Sequence, residues 1–395
     1  GTNVEGSFSE EKKNNYIMSI YKEGMFFGIA VCDISTGDFY STEIKEDNNF
    51  SKLIDEISRY SPSEIIVNTM MAESKEEIKE IESRFSSYIS VEKDKDENDI
   101  PIETPDDSKV GDVMNVNKDA FAVVQNNKKY WNIDNENNFS NDDKKIKQTF
   151  EILDKNNKVV DIDKKMFAIC AINGLMNYIE KTQKQVPENI NKIIFYETTK
   201  YMSLDISARK NLEITEKMRD KSKKGTLLWV LDKTKTAMGG RLLVRWINDP
   251  LIDKNDIKNR LDAVEEIKNN MILKDEIVEN LKNVYDIERL AGKISYGSAN
   301  ARDLISLKNS ISKLPEMKKT LSNTKSPMLK NLFESLDTLD DVFEIIDKSI
   351  VDDPPVTIKE GNLIKKGYNE IVDHLIELTT NGKRWLLNQE EKERE

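Results

Sequence analysis

Two cysteines and a single histidine are all that 395 residues offer of the side chains that most often bind zinc or act as thiol nucleophiles. Cys32 and Cys170 each lie inside an apolar segment, the setting of a buried, reduced thiol rather than of a disulfide or a metal ligand. His374 has no second histidine or cysteine nearby and sits between Asp373 and Leu375 in a helical pattern. That disfavours zinc arrangements and serine or cysteine triads, and leaves a solvated or interhelical residue. Long apolar runs are missing too: none approaches the ~18 residues that cross a bilayer. The opening GTNVEGSFSEEKKN has neither the basic nor the apolar part of a signal peptide. A cytoplasmic protein without membrane contact is the expectation. Basic charge is in deficit, with 60 Lys and Arg against 72 Asp and Glu and a net charge of -12, which argues against a broad grip on a phosphate backbone. Acidic pairs such as Asp352-Asp353 and Glu265-Glu266 follow from 33% charged residues and carry no catalytic reading.

What is present suffices for two or three domains with real cores, since 37% of the residues are hydrophobic. Tyr16 to Tyr21, Phe26 to Cys32 and Asp38 to Ile44 concentrate β-branched and aromatic residues between turn signals at Glu23-Gly24 and Ser35-Thr36-Gly37, and predict three antiparallel strands. Phe50, Leu53, Ile54 and Ile57 then mark a helix face, Glu64 to Asn68 a fourth strand, Glu76 to Phe85 a helix and Tyr88 to Val91 a fifth strand. A meander followed by alternating helices and strands is a ribonuclease-H-like α/β order. Nucleases of that fold gather several carboxylates at strand ends to hold two metal ions. Here the first strand has none and Asp33 stands alone at the end of the second, so a nuclease is only a remote alternative. Glu92 to Asp107, acidic and broken by Pro101 and Pro105, predicts a surface loop, and Asn126 to Asn157 has few anchors. MFAICAINGLMNYIEKTQK predicts a buried helix in which Met166, Met176 and Tyr178 pack in a core rather than line a cofactor site. Pro187 is expected to close a first domain at about residue 190.

Beyond it the pattern turns helical. Asp205 is a candidate N-cap, the run from Leu227 to Leu231 follows Gly225, and Gly239-Gly240 permits a close approach or a turn before a helix that Asp249-Pro250 stops. From Asp253, the spacing of Ile257, Leu261, Val264 and Ile267 predicts one buried stripe. Val356 to Ile364 reads as a small hairpin turning at Glu360-Gly361-Asn362. A last helix from near Tyr368 is expected to turn Ile371, Leu375, Leu378 and Trp385 inward, and NQEEKERE ends it without a stop signal. The basic stretch Arg209 to Lys224 reads as a solvated helix end and loop, with a nucleic-acid contact as the alternative.

Several of these strings carry a resemblance. RKNLE at Arg209 to Glu213 and LDKTKTAMGGRLLVRWINDPL at Leu231 to Leu251 closely resemble the core, or lever, domain of the bacterial MutS family of DNA mismatch-repair proteins. The similarity continues through Asp286 to Leu304, Val351 to Glu370 and Thr380 to Glu395, while FGIAVCDISTGDF at Phe27 to Phe39 is similar to the family's connector domain. The resemblance implies an α/β plus all-α chain: a ribonuclease-H-like connector over 1–190 and a mostly helical core over 191–395, cut before the clamp. It also implies a non-catalytic coupling role between mismatch-binding, clamp and ATPase domains outside this chain, with docking of the partner MutL as the alternative. The parent is then expected to be a homodimeric, DNA-dependent ATPase that uses ATP and Mg and binds mismatched double-stranded DNA. No catalytic, cofactor or metal residue is assigned here. No phosphate loop G-x-x-x-x-G-K-[ST] occurs: Gly239-Gly240 is followed by Arg241, and Gly382-Lys383 by Arg384. Gly239-Gly240, Asp249-Pro250 and Gly361 remain as candidate hinges.

Overall fold

The computed structural model describes residues 12–46, 50–85, 87–91, 151–153, 165–183, 189–190 and 192–394. The expectations for Glu92 to Asp107, Asn126 to Asn157 and Pro187 lie outside them, apart from a short strand at 151–153. The chain forms two compact units: residues 1–257 with Ala291–Tyr296, and Lys258–Leu290 with Gly297–Glu395. The boundary expected at residue 190 falls inside the first unit.

The first unit is built on a sheet of seven strands in the order β5-β4-β1-β2-β3-β7-β6. β1 (Ile17–Glu23), β2 (Phe26–Asp33) and β3 (Asp38–Lys45) form the antiparallel meander, and β4 (Glu64–Val67) and β5 (Tyr88–Val91) add in parallel beyond β1. This is the ribonuclease-H-like arrangement, extended past β3 by parallel β7 (Lys192–Phe195) and β6 (Glu151–Leu153). β2 is apolar on both faces because both are covered. Phe27, Ile29 and Val31 enter a core with Leu53 and Ile57 of α1 (Ser51–Tyr60), Met71 of α2 (Thr69–Glu73) and Ile81 of α3 (Lys75–Arg84). Ala30 and Cys32, one residue out of phase, enter a second core with Ile172, Leu175 and Ile179 of α4 (Met166–Gln183). α4 crosses β2 so closely that a Cβ on Gly28 would lie 1.7 Å from the Phe167 carbonyl oxygen. Met176 packs in this second core, and the Tyr178 hydroxyl donates to Glu64 at 2.7 Å, in keeping with core roles. After β7 the unit continues through α5 (Ile206–Asn211), α6 (Leu227–Leu231) and α7 (Ala237–Asn248) into α8 (Lys254–Asn269).

The second unit is helical: the rest of α8, α9 (Met271–Lys282), the start of α10 (Ile287–Ser295), α11 (Ala301–Ile311), α12 (Leu314–Leu321), α13 (Pro327–Ser335), α14 (Asp340–Ser349) and α15 (Glu370–Arg394). Leu290, Leu307, Ile311, Leu314 and Ile346 make its larger core, while Ala263, Leu321 and Leu329 make a smaller one joined by Ile267 and Ile277. Asn300 and Asp303 start α11 with a reciprocal capping box.

Three sequence expectations are corrected here. The α8 stripe is buried only in part: Ile267 faces the small core as expected, joined there by Ala263, whereas Leu261 and Val264 are 61% and 59% exposed. Apolar periodicity marks a face but does not supply a neighbour for it. The same holds for α15, where Ile371 and Leu375 are 72% and 56% exposed rather than inward; the side chains of Leu378 and Trp385 lie outside the described residues. Finally, Val356 to Ile364 is not a hairpin. Glu360 accepts from both the amide and the hydroxyl of Thr357, at 3.1 and 2.8 Å, and this local capping winds Ile358–Glu360 into a single 3-10 turn. Gly361 follows at φ 73°, and the antiparallel bridge forms instead between Ile350 and Ile364.

Candidate functional site: a buried arginine hub

Charge is concentrated and buried at one place in the first unit, where the sheet meets the segment that follows β7. α1 is amphipathic through Leu53, Ile54 and Ile57, yet it also buries Glu56. Arg59, one helical turn on, has a side chain only 6% exposed. Its Nη1 donates to both Glu56 oxygens at 3.2 and 3.3 Å, and its Nε donates to Asp249 Oδ1 at 2.6 Å. The Tyr196 hydroxyl also donates to Glu56 Oε2, at 2.6 Å. Over the guanidinium lie the rings of Tyr196 and Tyr201, with centroids 4.7 and 4.5 Å from Cζ.

The hub continues outward on both sides. Arg209 of α5 donates to the carbonyls of Leu204 and Asn248 and to the Asn248 side chain, so the end of α7 is held from two directions. Arg245 of α7 stacks on Tyr40 of β3, its Cζ 4.7 Å from the ring centroid, and hydrogen-bonds the Tyr40 hydroxyl. That hydroxyl donates in turn to Asp38 at 3.0 Å. Tyr60 meets Tyr16 edge-on and Tyr40 in a stack, with centroids 5.3 and 6.0 Å apart. Two backbone bonds, Tyr196 N to Ser41 O and Met202 N to Pro250 O, fix the register together with the Thr42 hydroxyl, which donates to Tyr196 O.

Burial alone would lower the Arg59 pKa; Tyr60, Tyr196, Glu56 and Asp249 outweigh it and hold the group charged. Burial pushes the Tyr196 and Tyr40 hydroxyls well above their ordinary values, so both stay protonated and remain donors. The arrangement ties α1, β3, the segment after β7 and the end of α7 into one hydrogen-bonded set, suited to fixing one geometry. A second close contact in the same unit involves the last turn of α10. There a Cβ on Gly292 would lie 2.5 Å from the Ser35 carbonyl oxygen in the β2–β3 turn.

Asp33, the acid expected at the end of the second strand, is fully buried and already engaged. Its oxygens accept from the Asn14 side chain, the Asn15 amide, and the amide and hydroxyl of Ser35, all within 3.0 Å. β1 runs on to Glu23, so the first strand also ends on a carboxylate, contrary to the sequence expectation. No group of three or more His, Cys, Asp or Glu positioned for a metal ion occurs among the described residues. Gly239-Gly240 does not make a turn: both lie in the first turn of α7, where the Thr236 hydroxyl caps the Gly239 amide at 3.0 Å. Asp249 does stop α7, and its carboxylate proves to be the hub's second anion. The basic stretch is divided. Arg209 is drawn into the hub, and Lys223 pairs with Asp232 at 2.6 Å alongside Lys12 at 3.1 Å, while Lys210, Arg219, Lys221 and Lys224 stay exposed. His374 is exposed on α15. Sequence reading passed over Glu56, Arg59 and Tyr196. The available signal was an acid–base pair one turn apart on an otherwise apolar helix face.

The comparisons with known proteins fall on both parts of the chain. Residues 15–119 match the family model described as MutS domain II, and residues 207–395 match MutS domain III. Over its whole length the chain is 44% identical to the DNA mismatch repair protein MutS of Clostridium botulinum (strain 657 / Type Ba4), spanning 37% of that protein. It is equally similar to the MutS of Ruminiclostridium cellulolyticum, of which it spans 40%. The chain thus covers well under half the length of the curated relatives it matches. No helix among the described residues is long and apolar enough to cross a membrane. With a ribonuclease-H-like sheet under the domain II match and a helical body under most of the domain III match, the chain belongs to the MutS family of DNA mismatch-repair proteins, of which it carries domains II and III.

Proposed function

We propose that this chain is the coupling part of a longer, cytoplasmic mismatch sensor. In that protein it relays conformational state between a mismatch-reading and clamp region and an ATPase, and it makes or breaks no bond itself. The parent would bind mismatched double-stranded DNA, use ATP with Mg, act as a homodimer and engage MutL. The relatives' name and the two domain matches support this reading. The observation that carries the coupling role is the Arg59 hub. Energetic coupling requires packed elements with discrete arrangements, and a desolvated ion-pair network is satisfied in one register and costly in any intermediate one.

The test uses Arg59→Met in the full-length protein. ATP hydrolysis without DNA is expected to persist, while the difference in hydrolysis between mismatched and matched duplex shrinks. A variant that keeps the full mismatch response despite a broken hub would refute the coupling role. The 395-residue chain alone is expected to hydrolyse no ATP and to leave DNA uncut in magnesium, and turnover of either would overturn the non-catalytic reading.

A further inference from the structure

Helix α6 is anchored firmly yet presents an apolar surface to solvent. Its Thr226 N-cap is buried and accepts from the Trp229 amide, and Leu228 N donates to Ile214 O at 2.9 Å. At its far end Asp232 is locked by Lys12, Lys223 and Thr234. Leu228 is the one side chain of α6 that is buried, whereas Leu227, Trp229, Val230 and Leu231 are all exposed. Leu227, Val230 and Leu231 share a face at helical spacing, and four large exposed apolar groups on a five-residue helix are far from the scattered exposure usual on a soluble surface. The surroundings are basic. Between Asp205 and Lys235 the chain carries nine Lys and Arg against five Asp and Glu, in a sequence whose net charge is -12. Lys224, Lys233 and Lys235 flank α6 and are exposed, with Lys233 Nζ 6.0 Å from the Trp229 ring centroid.

We propose that α6 and its lysine rim are the seat of an acidic, amphipathic segment of the same polypeptide, from the part of the parent protein outside domains II and III. This rests on the reading that the parent is longer, as its relatives are; the chain spans 37–40% of them. The chemistry selects the occupant. An aliphatic centre gives a phosphate backbone nothing to bind, which disfavours nucleic acid despite the lysines. A second copy docking through the same patch would bring like charges together. An amphipathic helix with carboxylates beside its apolar row satisfies both the centre and the rim, and tethering in the same chain supplies a high effective concentration.

Zero-length carbodiimide crosslinking of the full-length protein is expected to join Lys233 or Lys235 to an Asp or Glu outside residues 1–395. A Val230→Cys variant reports coverage: its alkylation is expected to be at least tenfold slower in the full-length protein than in this chain, with Lys233→Glu/Lys235→Glu restoring the rate. Equal alkylation in the two proteins overturns the proposal. So does protection that appears only with added duplex DNA, with anionic phospholipid vesicles, with a separate protein, or with rising concentration of this chain. The intact mass of the gene product separates the two levels of failure: a product no longer than these domains removes the longer-parent reading and the proposal together, whereas a longer product with an uncovered α6 removes the proposal alone.

Discussion

Arg59 carries a full charge out of water, and its two carboxylate partners lose as much by its removal as it does by theirs. Breaking such a set from one side costs about 3–5 kcal/mol, because an uncompensated charge is left buried. Arg59→Met, which leaves Glu56 and Asp249 without their cation, is expected to lower urea stability on that scale, and Asp249→Asn by less, because Arg59 keeps Glu56. The double variant should lose less than the sum, since each single change already abolishes the shared contact; strict additivity would show that the pair is not coupled. Gly28 makes a different residue-scale demand. With Phe167 O only 1.7 Å from where a Cβ would sit, Gly28→Ala must push α4 off the sheet, and near-wild-type urea stability would contradict that packing. Of these residues, Asp249 was legible as a helix stop and Asp205 as an N-cap, because both signals are local; the Asp205 side chain does accept from the Ala208 amide. The partnership of Arg59 with Asp249 was not legible, because it joins residues 190 apart in sequence and appears only once the sheet and α7 are folded together.

At the scale of elements, the strands of the meander could be read closely because runs of β-branched and aromatic residues between turn residues specify them without help from elsewhere. β7 and β6 complete the same sheet through partners distant in sequence, and local pattern says nothing of that pairing. Helix faces show the limit most clearly. On α8 the sequence period singles out Ile257, Leu261, Val264 and Ile267; Ile267 does reach the small core, but its buried neighbour there is Ala263, while Leu261 and Val264 face solvent. Leu261→Gln and Val264→Gln are therefore expected to stay within about 0.5 kcal/mol of the parent chain, as exposed positions do. Ala263→Leu should cost about 1–3 kcal/mol by overpacking. Thermal unfolding of the three variants distinguishes the two faces, and a large loss from Leu261→Gln would restore the stripe that sequence alone suggested. The Thr357–Glu360 turn teaches the same lesson in reverse: residues that look like hairpin strands are held in a single turn by one glutamate.

At the scale of the whole molecule, an excess of acid over base makes stability sensitive to which carboxylates are paired. Burial alone would raise the Asp232 carboxyl, but hydrogen bonds from Lys223, Thr234 and Lys12 outweigh it and hold the group well below the usual carboxylate range. Lys308 and Lys365 lower Asp352 in the same sense. As pH falls, the unfolded chain takes up these protons first, near pH ~3.9. Their contribution is thus in place above that pH and is lost progressively below it. Glu43 runs the other way. Burial raises its pKa against the opposing effect of the Ala168 amide and of Lys165, so its ionised form opposes folding near neutral pH and the opposition fades as it protonates. Urea midpoints measured from about pH 7 down to about pH 3 should accordingly separate two variants. Asp232→Asn is expected to flatten only the acid limb below about pH 4. Glu43→Gln keeps the carbonyl acceptor for Ala168 while removing the buried charge, so it should be more stable than the parent chain at neutral pH and converge with it on acidification. Convergence in the opposite direction, with the gap opening as pH falls, would mean that the Glu43 carboxylate is stabilised where it stands and that its burial at the start of α4 is not the dominant effect.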